Sequence, residues 1–325
     1  MTRPLRRRSV LVTGLAGLAG AAPWLAGCAA ATPNATAMAL QAVAPGVWYA
    51  QGEAALGDRA NRNFISNAGV ISTPGGVVLV DALGSPALAR ALLAAIAEHT
   101  PQRVTHVVVT HYHADHIYGL QVFAEAGARI VAHRAAREYL QSDLARLRLA
   151  NSIAQGLTEP GTRLVEATHW IDADGVLEVG GERVELRVVG PAHTPEDLAL
   201  WLPQRGVLFA GDLVFRGRVP FVGQADSRQW IASLDALLGL PARVVVPGHG
   251  PLSTTAREDL QLTRDYLAFL REHMGRAVGE FTPFEDAYAA TDWRRFGALP
   301  LFRAANRINA YNTYLLMEQE ALRRR

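Results

Sequence analysis

The hydrophobic positions follow two rhythms: short β-branched runs alternate with stretches in which apolar residues recur every three or four positions, as strands interleaved with amphipathic helices do. Strands are predicted over 47–49, 68–72 and 77–80, the last two separated by Thr73-Pro74-Gly75-Gly76, a strong turn sequence. Ser85-Pro86 supplies an N-cap and a first-turn proline for a helix that places Leu88, Leu92, Leu93 and Ile96 on one face. Residues 104–109 are predicted as a strand buried on both faces, followed by a helix after His116, a strand over 128–132 and one helix from about 134 to 155.

The middle of the chain changes character. Segments 175–179 and 183–189 flank Gly180-Gly181-Glu182 as a hairpin, and 198–202 with 207–210 form a second pair around Pro203-Gln204-Arg205-Gly206. Trp230, Leu234, Leu237 and Leu238 mark the next helix, 244–246 another buried strand, and Thr255-x-x-Glu258 a capping box opening a helix to about His273. A last helix carries Ile308, Tyr311, Leu315 and Leu322 on one side. No period of a solenoid or propeller appears, although the strand and helix order repeats loosely across two halves.

Composition narrows the chemistry. With 325 residues, half of them hydrophobic and 19% charged, the chain is large enough for a substantial core and too apolar for a disordered tail. All 32 basic residues are arginine, which excludes a lysine nucleophile, a Schiff-base lysine and a P-loop lysine. Four of them precede residue 28, leaving 28 basic against 30 acidic residues, so overall charge gives no support to a nucleic-acid partner. The single cysteine, Cys28, excludes an intramolecular disulfide framework and a cysteine-built zinc or iron–sulfur site.

Residues 1–28 read as a targeting segment: basic through Arg8, apolar from Val10 to Trp24 but too short to span a bilayer, then Leu25-Ala26-Gly27-Cys28. Arg7-Arg8-Ser9-Val10-Leu11 resembles a twin-arginine export signal, and Leu25-Ala26-Gly27-Cys28 resembles the lipobox of bacterial lipoproteins. The resemblance implies export of a folded protein, cleavage before Cys28 and lipidation of its thiol. The expected location is periplasmic, anchored by lipid to the bacterial membrane, the outer ahead of the inner because no Asp follows Cys28.

The residues that carry chemistry stand where the apolar strands end. Val107-Val108-Val109-Thr110 leads into His111-Tyr112-His113-Ala114-Asp115-His116, four metal-competent side chains within six residues. His193 follows the strand ending at Val189, Asp212 follows 207–210 in Ala-Gly-Asp, and His249 follows 244–246 in Pro-Gly-His-Gly. All are read as strand-end loop positions on one shared edge, where rigid elements hold ligands better than mobile loops. Imidazole and carboxylate suit zinc, and iron or manganese as well. Seven such ligands are too many for one tetrahedral ion and suit two. Isolated histidines are usually structural, so His99, His106, His133, His169 and His273 are assigned to packing, as are Tyr112 and Tyr118. Asp81 reads equally as a partner orienting a ligand histidine and as a strand-end turn residue.

His111-x-His113-x-Asp115-His116 with His193, Asp212 and His249, spread over about 47–252, resembles the metallo-β-lactamase superfamily of dinuclear hydrolases. The resemblance implies an α/β (α+β) fold, a four-layer αββα sandwich with two Zn2+ at one edge of the paired sheets. Carried over residue by residue, it implies that His111, His113 and His193 hold one ion, that Asp115, His116 and His249 hold the second, and that Asp212 bridges them. Val78-Leu79-Val80-Asp81 looks like that family's strand-end Asp. The domains implied are a flexible tether at 29–43, the catalytic domain at 44–252 and C-terminal helices packed on it at 253–325. Residues 111–250, with Asn306-Arg307-x-Asn309, Tyr311, Tyr314 and Glu318, look most like periplasmic zinc metallohydrolases found beside sulfur-oxidation and quinoprotein systems.

Two divalent ions about 3.5–4 Å apart share a water whose pKa falls from about 15.7 to about 7, and Asp115 is the residue expected to orient the resulting hydroxide. Arg216 and Arg218 are candidates to meet an anionic substrate group, against the plainer reading of two solvated surface arginines. The leading expectation is therefore an exported zinc hydrolase acting on a small ester, lactone, thioester or amide-type substrate; the oligomeric state is left open. β-Lactam hydrolysis is an alternative, against which Asp212 stands where true metallo-β-lactamases usually place Cys or Ser. A mononuclear iron persulfide-type oxygenase using His111, His113 and Asp212 would leave Asp115, His116 and His249 without a use. The alternative outside enzymes is a non-catalytic periplasmic metal-binding accessory of a sulfur or quinoprotein system.

Overall fold

A computed structural model of the chain describes residues 38–323 apart from 224; the targeting segment 1–28 and its Cys28 lie outside the described residues. Strands β1 (Leu40–Ala44), β2 (Val47–Ala50), β3 (Ala68–Thr73) and β4 (Gly76–Val80) form an antiparallel meander. It continues in parallel through β5 (Val104–Val108), β6 (Arg129–His133) and β7 (His169–Ile171) as one seven-stranded sheet. A second sheet runs in the order β12 (Val244–His249), β11 (Val207–Phe215), β10 (Leu198–Leu202), β9 (Glu182–Val188), β8 (Gly175–Val179), with β11 and β12 parallel and the other pairs antiparallel.

Alternation along each strand assigns side chains to layers. In β4, Val77 and Leu79 join the core beneath α1 (Pro86–His99) and α3 (Leu120–Glu125), whereas Val78 and Val80 face the second sheet. In β10, Leu198, Leu200 and Leu202 face the first sheet, and Ala199 and Trp201 face α6 (Ser227–Leu238), α7 (Ala256–Gly279) and α9 (Phe302–Arg323). The result is the expected αββα sandwich, with one apolar core between the sheets and one under each helical layer.

Local signals act where they are strongest. Ser85 caps α1 by accepting from Leu88 N at 3.2 Å, and Leu88, Leu92 and Ile96 are buried. Gly180 (φ 57°) and Gly181 (φ 83°) supply the two left-handed residues that a two-residue hairpin between β8 and β9 requires.

Other expectations are corrected. Residues 40–43, expected to belong to the tether over 29–43, instead lie in β1, with Leu40 opposite Ala50; residues 29–37 lie outside the described residues. The helix expected over 134–155 is broken into α4 (Ala136–Gln141) and α5 (Asp143–Gln155). Ser142 between them takes an extended backbone and caps α5 by accepting from Ala145 N at 3.1 Å. Edge strand β7 has only three residues and was invisible to periodicity. Helix α7 runs beyond His273 to Gly279, and its capping box does not form: the Thr255 hydroxyl donates to Asp259 at 3.3 Å, and Ser253 donates to the same carboxylate. In α9 the apolar side points outward, with Ile308, Tyr311 and Leu322 exposed, while the buried positions are Ala305, Asn306, Asn309, Ala310 and Thr313.

Candidate metal centre

The end of β5 continues through Val109 and Thr110 to His111; His113 stands immediately before the single turn of α2 (Ala114–Ile117), which carries Asp115 and His116. His193 lies in the loop between β9 and β10. Asp197 ties that loop, accepting from Thr194 N and Thr194 Oγ1, both at 2.7 Å, and Leu198 N donates to Thr110 O at 2.8 Å beside His111. The expectation that every ligand sits in a strand-end loop is corrected for two of them. Asp212 lies inside β11, where pairing with β12 shifts register around Gly211 (φ 51°), and His249 is the last residue of β12. A bulge of this kind re-aims a side chain without leaving the sheet. Gly248 makes room for the result, since a Cβ there would fall 2.0 Å from Asp212 Oδ1.

All seven side chains converge as two groups, His111, His113, His193 and Asp212 in one, Asp115, His116 and His249 in the other. His113 Nδ1 is 3.1 Å from His111 Nε2 and 3.0 Å from His193 Nε2, and Asp212 Oδ2 is 3.7 Å and 3.4 Å from those two histidines. In the other group His249 Nε2 is 3.3 Å and His116 Nε2 3.6 Å from Asp115 Oδ2. Asp212 joins the groups: its Oδ1 is 3.3 Å from His116 Nε2 and its Oδ2 3.3 Å from His249 Nε2. A tetrahedral ion with ligands at about 2.0–2.1 Å spaces its donors about 3.3–3.4 Å apart, the middle of the range found here.

Two observations show that this donor set fits cations. The buried His116 Nε2 and Asp212 Oδ1 face each other at 3.3 Å, yet neither makes a well-formed hydrogen bond among the described residues, as donors aimed at a common centre do. The donors are nitrogen and carboxylate oxygen only, a zinc-type set. Electrostatics divide the histidines. Burial, reinforced by His116, holds His111 well below its ordinary pKa; burial also lowers His113, and takes His193 down to about 3. Burial opposes charge on His116 and His249 too. There the carboxylates prevail, Asp212 first, lifting His116 well above its ordinary value and His249 to about 9. Against its own burial, His249, His116 and His111 keep Asp212 ionised well below the usual carboxylate range.

The supports around these ligands were only partly anticipated. Asp81, in the left-handed region at φ 62°, is both a turn residue and an orienting partner. Its Oδ2 accepts from His116 Nδ1 and Thr110 Oγ1, and its Oδ1 from Thr110 N, each at 2.8 Å. Thr110 Oγ1 then accepts from His111 Nδ1 at 3.1 Å, so one carboxylate aligns a histidine in each group. Asp81→Ala is expected to weaken zinc binding about 10–100-fold, measured by competition with a chromophoric chelator. The segment before β3 was missed. Ile65 O accepts from His249 Nδ1 at 2.8 Å, Ser66 Oγ donates to Asp115 O at 2.5 Å, and Asn67 Nδ2 donates to Pro247 O and Gly250 O, both at 2.8 Å. An Asn between an apolar strand and a polar loop offers no periodic signal that could have revealed this clamp.

The two arginines part company. Arg216 does not face the site: its Nε donates to Asp259 at 2.8 Å and its Nη1 to Leu252 O at 2.9 Å, joining β11 to the start of α7. Arg218 is 2% exposed, which overturns the reading of a solvated residue. Its guanidinium lies 5.5 Å from the Phe215 ring and 5.2 Å from the Phe221 ring, and its Nη1 has no hydrogen-bond partner among the described residues. Burial lowers its pKa on balance, against the opposing charges of Asp212 and Asp115.

A family model described as "Metallo-beta-lactamase superfamily" matches residues 61–249, more than half of the chain. The chain belongs to the metallo-β-lactamase superfamily. A metallo-beta-lactamase type 2 from Bacillus cereus is 33% identical over 190 residues, covering 57% of this chain and 67% of that protein. A linear primary-alkylsulfatase from Pseudomonas sp. is 26% identical over 254 residues, covering 66% of this chain and 48% of its own length, so this chain spans about half of that relative. Among solved structures, a metallo-beta-lactamase from Pontibacter korlensis aligns with a TM-score of 0.57 at 25% identity over 71% of this chain and 99% of its own. The superfamily contains metal-dependent hydrolases that usually use zinc, and the His/Asp cluster of this member lies at one end of the paired sheets' strands.

Proposed function

We propose that this chain is an exported, zinc-dependent hydrolase that cleaves a small ester, lactone, thioester or amide-type bond in a substrate bearing an anionic group. The observation that carries this reading is the Asp212 carboxylate standing between two complete sets of donors, within 3.3–3.7 Å of four imidazoles. His111, His113 and His193 would hold one zinc, Asp115, His116 and His249 the second, with Asp212 shared. A zinc pair supplies Lewis-acid polarisation of the scissile group and hydroxide at neutral pH, by lowering the pKa of water from about 15.7 to about 7.

The protein's own residues do the rest. Asp115 is the most solvent-accessible of the two carboxylates, 16% against 4% for Asp212, and faces His249 and His116. Although burial opposes its ionisation, the charge of His116 leads those that keep Asp115 a carboxylate, an acceptor able to orient the attacking water. Arg218, buried beside Phe215 with its Nη1 lacking a hydrogen-bond partner among the described residues, is the candidate to receive the substrate's anionic group. The complete second donor set favours two ions over a mononuclear oxidative site.

Attachment to the membrane through a lipidated Cys28, and a setting beside sulfur-oxidation or quinoprotein systems, are supported by sequence resemblance alone. The test is elemental analysis of the full chain purified without added metal, with a hydrolysis screen of lactams, lactones, thioesters and phosphodiesters. Two zinc equivalents per chain and turnover abolished by chelation are expected, and fatty-acid labelling lost in Cys28→Ser. Iron with oxygen uptake, or hydrolysis indifferent to chelation, would overturn the reading.

A further inference from the structure

We infer that Asn309 of the C-terminal helix α9 is a positioning residue for Arg218, so that the helical layer outside the second sheet sets how well the site takes an anion. The inference rests on reading Arg218 as the anion receiver, and it explains why the buried face of α9 carries amides rather than its leucines and tyrosines.

Arg218 leaves β11 just past Phe215. The Phe215 ring stacks on the His249 imidazole, 5.1 Å between centroids at 4°, and meets His193 edge-on at 5.7 Å. With its guanidinium against both Phe215 and Phe221, Arg218 therefore stands one aromatic ring away from ligands of both donor sets. Its Nε donates one long hydrogen bond to Val219 O at 3.5 Å, and its buried Nη1 has no hydrogen-bond partner among the described residues. A buried guanidinium whose Nη1 is unsatisfied keeps a donor available for a carboxylate or sulfate.

What holds this loop comes from the far end of the chain. Asn309 is fully buried, its Oδ1 accepting from Val222 N at 2.9 Å and its Nδ2 donating to Pro220 O at 2.6 Å. One amide thus fixes the backbone on both sides of Phe221, the ring that flanks Arg218. Tyr266 of α7 accepts from the same Nδ2 at 3.0 Å, and Val219 N donates to Pro300 O at 3.1 Å. Asn306, one turn earlier, belongs to the same buried network but not to the loop: its Oδ1 accepts from Tyr266 and its Nδ2 donates to Tyr288. The neighbour provides an internal control, because replacing either asparagine leaves buried partners unpaired, yet only Asn309 releases Pro220 and Val222.

Inorganic sulfate, titrated calorimetrically into the full chain as isolated, separates these roles without depending on turnover. Arg218→Ala and Asn309→Leu are each expected to weaken sulfate binding about tenfold or more, with metal content unchanged. Asn306→Leu is expected to stay within about twofold of the parent, despite a comparable fall in Tm. Equal sulfate affinities for Asn309→Leu and Asn306→Leu would overturn the positioning role and leave Arg218 as the anion receiver. Sulfate binding that is absent in the parent, or indifferent to Arg218→Ala, would overturn the reading of Arg218 and this inference with it.

Discussion

Asp212→Ala is expected to lower kcat/KM at least about 1,000-fold, about 4 kcal/mol of transition-state stabilisation, and to reduce bound zinc from two equivalents to one or none. The size of the effect follows from where the carboxylate stands. Its two oxygens lie 3.3–3.7 Å from His111, His116, His193 and His249, so it is the common member of both donor sets. Removing it also takes away the leading charge that sustains protonated His116 and His249 in the metal-free protein, leaving them buried with weaker compensation. A change at a packing histidine, His106→Ala for example, provides the control and should alter turnover little. Metal analysis and steady-state kinetics on the same preparations decide the matter, and full activity with two zinc equivalents in Asp212→Ala would refute the shared role.

Zinc is expected to load the two donor sets with different pH dependence. Between pH 7 and 9 the imidazoles of His111, His113 and His193 are predominantly neutral, because burial holds all of them below their ordinary pKa, so protons compete little for the first set. His116 and His249 are the reverse, protonated at pH 7 because Asp212 and its neighbours raise them, His249 to about 9. Zinc must expel those protons before the ring nitrogens can ligate, so affinity at the second set rises with pH, and His249 ceases to contribute above about 9.

The same shifts fix a stability window for the metal-free protein. A histidine whose folded pKa exceeds the unfolded value of about 6.5 stabilises the fold fully below that pH. For His249 that contribution is lost as pH rises toward 9, so the Tm of chelated protein should fall across this interval while zinc-loaded protein changes less. Calorimetric zinc titrations in buffers of different ionisation enthalpy count the protons released. Two binding events with the same pH-independent affinity would contradict the assignment.

Much of the centre was legible because its signals are local. The cluster from His111 to His116 spans one strand end and one helical turn, and His193, Asp212 and His249 each follow an apolar run, so the donor list needed no knowledge of packing. The helix breaks were harder. Ser142 interrupts an otherwise continuous helical pattern because its hydroxyl caps the next helix, a choice that periodicity over 134–155 averages away. The apolar stripe of α9 misled for a related reason: periodicity identifies faces but does not say which one meets the neighbours, and here α7, Tyr288 and the 220–222 loop offer polar groups that amides match.

By itself the sequence determined the alternation of strands and helices and the seven candidate donors with their chemical kind, since these depend on side-chain identity and on backbone preferences a few residues long; the four-layer arrangement was implied by the family resemblance. Only the tertiary structure decided that Asp212 sits on a bulge inside β11, that Asn67 reaches 180 residues along the chain to hold the His249 loop, and that Arg218 is buried while Arg216 is tied to Asp259. Such pairings are set by which surfaces meet when the sheets and helices close on one another, and an isolated residue's neighbours along the chain carry no record of that encounter.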